Sequence, residues 1–329
     1  MFYFKDEVFR TYLNGKVGIR VTRSLLLALI LLSFIWGGSY LFIKILLEDF
    51  GPWTIAFFRS TLGLAVITLL MLLARKPFGL NRIAWVPMTV MALIHTAVPW
   101  AIIGFSEQRL TSSMASVLNA TTPLWTLLVG VLYFKRGANR LQWLGMGISA
   151  IGLLILLDIG TDSAFSTDLL GFIGMLAASL CYAIGSQLSK RLSDGLSMYQ
   201  VTFGTLLCAA LGSGSIAFAS EPITLAPLQS APSFGALLGL GIFGSGFAYV
   251  LYYYLVQKGS PELASTVTYL LPACSLIWGA AILNEAIHWR LLAGLVCILS
   301  GVILVGRTYA KTKPRKIGPE AESVMEGRS

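Results

Sequence analysis

Apolar residues run in long blocks from Leu25 to about Gly306, and short segments between the blocks hold most of the charge. A block of about 18 or more apolar residues is long enough to cross a bilayer as an α-helix. Cutting the chain at its charged and Pro/Gly-rich breaks predicts ten spans: 25–47, 52–74, 84–105, 111–134, 141–157, 168–189, 198–219, 233–257, 261–283 and 288–306. The predicted fold class is therefore an all-α polytopic membrane protein with a basic N-terminal segment, 1–24, and a tail, 307–329. The first segment is also aromatic (Phe2, Tyr3, Phe4, Phe9, Tyr12) and reads either as an interfacial helix or as a simple tail, whereas 311–329 has the composition of a disordered chain.

Composition agrees with this reading. Hydrophobic residues make up 56% of the chain and charged ones 12%, with a mean hydropathy of +0.77. Soluble domains hold roughly 25% charged residues, so a water-soluble globule is excluded. The net charge of +9 raises the question of nucleic acid, but the basic residues sit between spans and at the termini, where they set membrane topology. With the N-terminus in the cytoplasm, 20 of the 24 Lys and Arg residues fall in inner segments. Only Arg109 and Arg290 are outside, and Lys44 and Arg59 lie within spans. Both termini are thus expected in the cytoplasm. The outer loops are acidic, with Glu48, Asp49, Glu107, Asp158, Asp162, Asp168 and Glu221. Cys181, Cys208, Cys274 and Cys297 lie in four different spans without a C-x-x-C pair, which speaks against a disulfide framework or a zinc site, and no cofactor is expected. The first apolar block, 25–47, is too long for a signal-peptide core.

An internal repeat carries the functional argument. Ala115, Ser116, Pro123, Leu127, Gly130, Gly145 and Gly152 recur as Ala264, Ser265, Pro272, Leu276, Gly279, Gly294 and Gly301, all at an offset of 149 residues. A weaker match at an offset of 146 joins Lys44 to Lys190 and Phe57 to Phe203. The repeat maps spans 1–5 (25–157) onto spans 6–10 (168–306), and because five is odd the second copy enters the bilayer from the opposite face. Inverted repeats are the architecture of alternating-access carriers, in which a site near the midplane is gated in turn from each side.

Several of these residues form an ordered set that resembles the EamA family of the drug/metabolite transporter superfamily. They are Trp36-Gly37-Gly38-Ser39 followed by Lys44, then Arg59, the repeated Ala-Ser and Pro of spans four and nine, and Asn284-Glu285 closing span nine. The similarity covers about 25–306 as two units. One departure is that Lys135-Arg136 closes span four, where the family often has Gly-Glu. The resemblance implies two inverted bundles around a cavity lined by helices 1, 3, 4, 6, 8 and 9, and usually export of small metabolites, amino acids or drug-like compounds. A bacterial cytoplasmic (inner) membrane is the expected location.

Polar and aromatic residues inside the spans are the candidates for that cavity, each with a structural alternative. Lys44 lies one turn before the outer end of span one, and its side chain is expected to lean back into the bilayer. It either meets substrate or pairs with Glu48, Asp49 or Glu107. Arg59 begins about 10 Å below the outer surface at 1.5 Å per residue and leans outward, which favours a structural ion pair. Glu285 is assigned a structural pairing role too. His95, the one histidine within a span, either relays a proton or makes an interhelical hydrogen bond. Pro123 and Pro272 free backbone carbonyls at equivalent points, next to Asn119 and Thr268. Ser39, Trp36, Trp100, Tyr182 and Tyr249 complete the candidate wall, with interfacial belts as the other explanation for the aromatics.

Other classes of function fit less well. A membrane-embedded enzyme needs a nucleophile with its base, a carboxylate pair or metal ligands, and the spans offer none of these. A channel needs a selectivity ring or a carbonyl filter, and a passive pore for neutral solutes stays as the alternative. No phosphate-binding Gly-rich loop is present, so energy must come from a gradient, by proton coupling or by exchange of substrates, or from no source beyond the solute itself. The expected partners are a small-molecule substrate and the lipid bilayer.

Overall fold

A computed structural model describes residues 22–133, 135, 137–157, 168–192, 195–255, 258, 263, 264 and 266–309. Nearly all of the N-terminal segment 1–24, the tail beyond 309, Ser265 and Arg136 lie outside the described residues. The described chain is helical: α1 (Arg23–Leu46), α2 (Pro52–Leu73), α3 (Trp85–Ala92, continuing through a π turn at Leu93–Ala97 to Val98–Glu107), α4 (Ser112–Asn119, then Thr122–Leu132) and α5 (Arg140–Leu157). From residue 168 onward come α6 (Leu169–Leu192), α7 (Met198–Ser220), α8 (Ala231–Leu238, π turns at Gly239–Phe247, Ala248–Tyr254), α9 (Val267–Ile282) and α10 (Trp289–Tyr309). Eight of these are long and apolar enough to cross a membrane, and α9 and α10 supply shorter apolar helices. The molecule is an all-helical polytopic membrane protein.

Local sequence explains where the helices start. The Thr22 hydroxyl accepts from the Leu25 amide, and Pro52 occupies the first turn of α2, where its missing N–H is not needed. Asn139 and Gln142 cap each other's amides ahead of α5. Ser197 and Gln200 do the same ahead of α7. Large apolar side chains such as Leu72, Val86, Leu211, Phe218 and Val296 point outward, and serines and threonines such as Ser33, Ser60, Ser149 and Ser213 are buried. That arrangement suits a lipid surround, where backbone and small polar groups must be satisfied within the bundle.

The two halves meet along seams that reproduce the offset of 149. Helix α5 lies antiparallel to α10, with Gly145 against Gly301, Gly152 against Gly294, and the Ser149 hydroxyl donating to the Ile298 carbonyl at 3.2 Å. Adding 149 to Gly145 gives Gly294 and subtracting 149 from Gly301 gives Gly152, so the first glycine pair maps onto the second with its partners exchanged, as a two-fold axis through the seam requires. Other contacts come in matching sets: α1 packs on α9 as α6 packs on α4, and α3 on α6 as α8 on α1. The backbone follows the repeat as well. Lys135 and Asn284, 149 residues apart, end α4 and α9 with φ of 49° and 53°.

The seam has no room for a methyl group: a Cβ on Gly301 would lie 2.2 Å from the Gly145 carbonyl oxygen, whereas one on Gly147 would meet nothing within 4 Å. Gly301→Ala should therefore destabilise the protein by about 1–3 kcal/mol. Gly147→Ala should be neutral or stabilising by up to about 1 kcal/mol. Thermal unfolding in detergent checks the pair, and equal melting temperatures would contradict this packing.

Candidate functional site

A cavity of about 790 Å³ lies between the halves. It begins near Ile43, Arg59 and Ile103, about a turn or two below the end of the molecule where α1, α3, α7 and α9 finish. It reaches the rim at the opposite end, at Met198 on the first turn of α7 and at Val305 near the end of α10. The first end is the closed end and the second the open end.

Carboxylates hold the closed end together. Glu221, after α7, accepts from the Trp53 amide at 3.0 Å and from the amide and hydroxyl of Thr54, both at 2.8 Å. Glu285, after α9, accepts from the Ser112 amide at 2.7 Å, the Ser113 amide at 3.0 Å and the Ser113 hydroxyl at 2.5 Å. Each carboxylate from the second half thus caps the first turn of a first-half helix, where amides lack partners and the helix dipole favours an anion. The ion-pair role expected of Glu285 is corrected accordingly: its partners are the N-terminal amides and hydroxyl of α4.

Lys44 also belongs to this end and is not part of the cavity wall. Its ammonium donates to the carbonyls of Glu107 and, at 2.9 Å, of Leu110, so it caps the C-terminal end of α3. The expectation that it faces substrate is corrected by this placement. Glu107, expected in an outer loop, is in the last turn of α3 and fully buried, and both its carboxylate oxygens are without a hydrogen bond among the described residues.

The wall itself brings together Trp36, Ser39, His95, Trp100, Asn119, Pro123, Tyr182, Tyr249, Thr268 and Pro272. The two prolines are not equivalent in local structure. Pro123 sits in the first turn of the second half of α4, whereas Pro272 is inside α9. Helices α2, α7 and α10 contribute as well, through Arg59, Thr202 and Val302, beyond the six helices expected to line the site.

Two π turns shape the wall. His95 is carried by the turn in α3, and its ring meets the Tyr182 ring edge-on with centroids 5.7 Å apart. The turn in α8 contains the residues at the same offset of 149 and exposes the Gly244 carbonyl, which accepts from the Trp36 indole at 3.1 Å. Trp36 in turn lies against Tyr252 with centroids 5.8 Å apart and edge-on to Tyr249 at 6.4 Å. Such turns break the regular ladder and commonly mark functional sites. This second turn was not among the elements expected from the sequence, although the glycines at 239, 241, 244 and 246 could have signalled it. Its role in placing Trp36 had no such signal.

Arg59 also departs from its expected ion-pair role. Its guanidinium does not reach the surface and has no carboxylate within ion-pair distance: the Arg109–Asp168 pair, at 3.5 Å, is the one ion pair among the described residues. Instead its Nε donates to the Ser245 hydroxyl at 2.9 Å and its plane covers Trp100 at 3.9 Å. It is the one residue of the described wall that carries a full charge.

Two inverted helical halves around a central solute-sized cavity are an arrangement shared by many membrane transporters. The EamA-like transporter family model matches the chain twice, at 23–158 and 169–307, and the chain belongs to that family. An Archaeoglobus fulgidus protein named as an uncharacterized transporter is 30% identical over 85% of this chain and 96% of its own length. The inner membrane transporter YedA of Escherichia coli is 28% identical over 87% of this chain and 92% of its own. One solved crystal structure has a TM-score of 0.59 at 17% identity, covering 88% of this chain and 99% of that one, and shares the fold. The protein is a membrane transporter, which is not an enzyme class.

Removing a clamp at the closed end should be measurable without any substrate. Glu285→Ala leaves two amides and a hydroxyl of α4 without their acceptor and should lower stability by about 3 kcal/mol. Exchange of the exposed Glu48 for Gln should lower it by less than about 0.5 kcal/mol. Unfolding midpoints in detergent decide between this picture and one in which both acids are surface decoration.

Proposed function

We propose that the chain is a secondary carrier that moves small organic solutes across the bacterial cytoplasmic membrane by alternating access. The carrying observation is the cavity between inverted halves, reached from one end and shut at the other by carboxylates that cross from half to half. A pore open at both ends would need no such asymmetry. The basic residues Arg75, Lys76, Arg82, Arg140 and Lys258 lie at the open end, so the positive-inside rule assigns that end to the cytoplasm and makes this conformation inward-facing. Both termini are then cytoplasmic, and export is the direction that the family resemblance favours. The name of the E. coli relative supports an inner-membrane location.

In this reading the outward-facing state forms when Glu221 and Glu285 release α2 and α4 while the opposite end closes around α7 and α9. Pro272 sits within α9 beside the cavity and weakens its ladder, giving that helix a place to bend.

Proteoliposomes loaded with a metabolite extract and transferred to labelled extract test the proposal by mass spectrometry. A carrier exchanges particular solutes saturably and by counterflow. Pro272→Ala should slow that exchange about tenfold, the rate equivalent of about 1.4 kcal/mol, while folded yield is kept. Flux linear in concentration, with no counterflow, would mean a passive pore.

A further inference from the structure

Arg59 poses a problem of buried charge. It is the eighth residue of α2, 8% exposed, in a span long and apolar enough to cross the membrane. Its position is fixed from two sides, by the Ser245 hydroxyl on Nε and by the Trp100 ring beneath its plane. Ser245 donates its own proton to the Leu240 carbonyl at 3.3 Å, which leaves its oxygen free to accept from the arginine. With Nε engaged and one face covered, the two terminal amino groups remain. Neither forms a hydrogen bond with a described residue, and the side chain lines the cavity.

The charged and titratable groups nearby leave that fork open. Glu107 on α3 lies within electrostatic reach but beyond ion-pair distance, and it is not part of the cavity wall. Lys44 on α1 and Glu285 after α9 are occupied by helix ends. The other polar rings near the guanidinium are those of Tyr40, Tyr182 and Tyr249, and none of them is a carboxylate. A planar fork with two parallel donors matches a carboxylate, which it binds in bidentate fashion. One arginine in an otherwise uncharged wall balances one negative charge. A phosphate ester, with close to two, would be left with a charge uncompensated in an apolar site.

We propose that Arg59 is the anion anchor of the cavity, so that the transported solutes are small organic monocarboxylates whose apolar or aromatic body rests against Trp36 and Trp100. This rests on the carrier reading and narrows its substrate class. The sequence left substrate contact open for Lys44 and read Arg59 as structural, so the proposal places the charge that meets substrate on a different residue.

Calorimetric titration of the full-length protein in detergent tests the proposal with four matched probes: 3-phenylpropanoate, 3-phenylpropanamide, 3-phenylpropylamine and phenyl phosphate. The acid should bind at least tenfold more tightly than the amide and the phosphate, and the amine should not bind. Arg59→Gln should reduce the acid to the level of the amide. Should that variant fail to fold, Ser245→Ala, which removes only the Nε contact, should weaken acid binding several-fold and leave the amide unchanged. Equal binding of acid and amide to the unmodified protein, tighter binding of the phosphate, or no binding of the acid overturns the proposal. Counterflow in proteoliposomes keeps the two readings apart. Counterflow without acid selectivity removes the anchor and leaves the carrier, whereas acid selectivity without counterflow removes the carrier.

Discussion

Helix ends that are buried between two halves of a membrane protein must find hydrogen-bond partners, because lipid offers none. In this molecule the first amides of α2 and α4 find them in the carboxylates of Glu221 and Glu285, which belong to the other half. The rest of the arrangement follows from that constraint. With α2 and α4 held, one end of the bundle is shut, and the space between the halves opens at the other. Lys44 completes the same logic from the opposite pole of a helix, giving its protons to carbonyls at the end of α3.

The closure is asymmetric although the fold is not. The seam of α5 and α10, the paired π turns and the matched φ of Lys135 and Asn284 obey the two-fold relation. The residue next to Asn284 is Glu285, but next to Lys135 the sequence has Arg136. The two ends of the repeat therefore carry opposite charges at corresponding places. A basic residue cannot supply the acceptor that Glu285 supplies, so the corresponding clamp at the open end would need some other chemistry. In a carrier built from equal halves, such a difference biases the resting conformation toward one face.

Much of this fold was legible in the chain. Apolar blocks of membrane length marked the helices to within a few residues, and identities as sparse as Pro123 with Pro272 and Gly145 with Gly294 were enough to reveal the inverted copy, because both residue types answer to backbone geometry. Side-chain direction was the harder problem. Lys44 and Arg59 were placed by the tilt of the Cα–Cβ bond along their own helices, which says how deep a charge lies but not which neighbour receives it. The end of α3 claimed the lysine, and the α8 turn and Trp100 claimed the arginine, through contacts more than 40 residues away in the chain. Glu107 was misread for a simpler reason: α3 runs two residues past its expected end and takes the acid into the bundle.

Alternating access is the central claim, and distances between spin labels at the two ends address it directly. Labels at Glu48→Cys with Ala286→Cys report on the closed end, and Gly137→Cys with Lys258→Cys on the open end, in protein whose native Cys181, Cys208, Cys274 and Cys297 are replaced by alanine. The account predicts one short, narrow distance at the closed end and a longer one at the open end. Exchanging Glu221 and Glu285 together for Gln should add a second population in which the closed-end distance lengthens and the open-end distance shortens. Distances at both ends that stay single and unchanged in that variant would contradict alternating access.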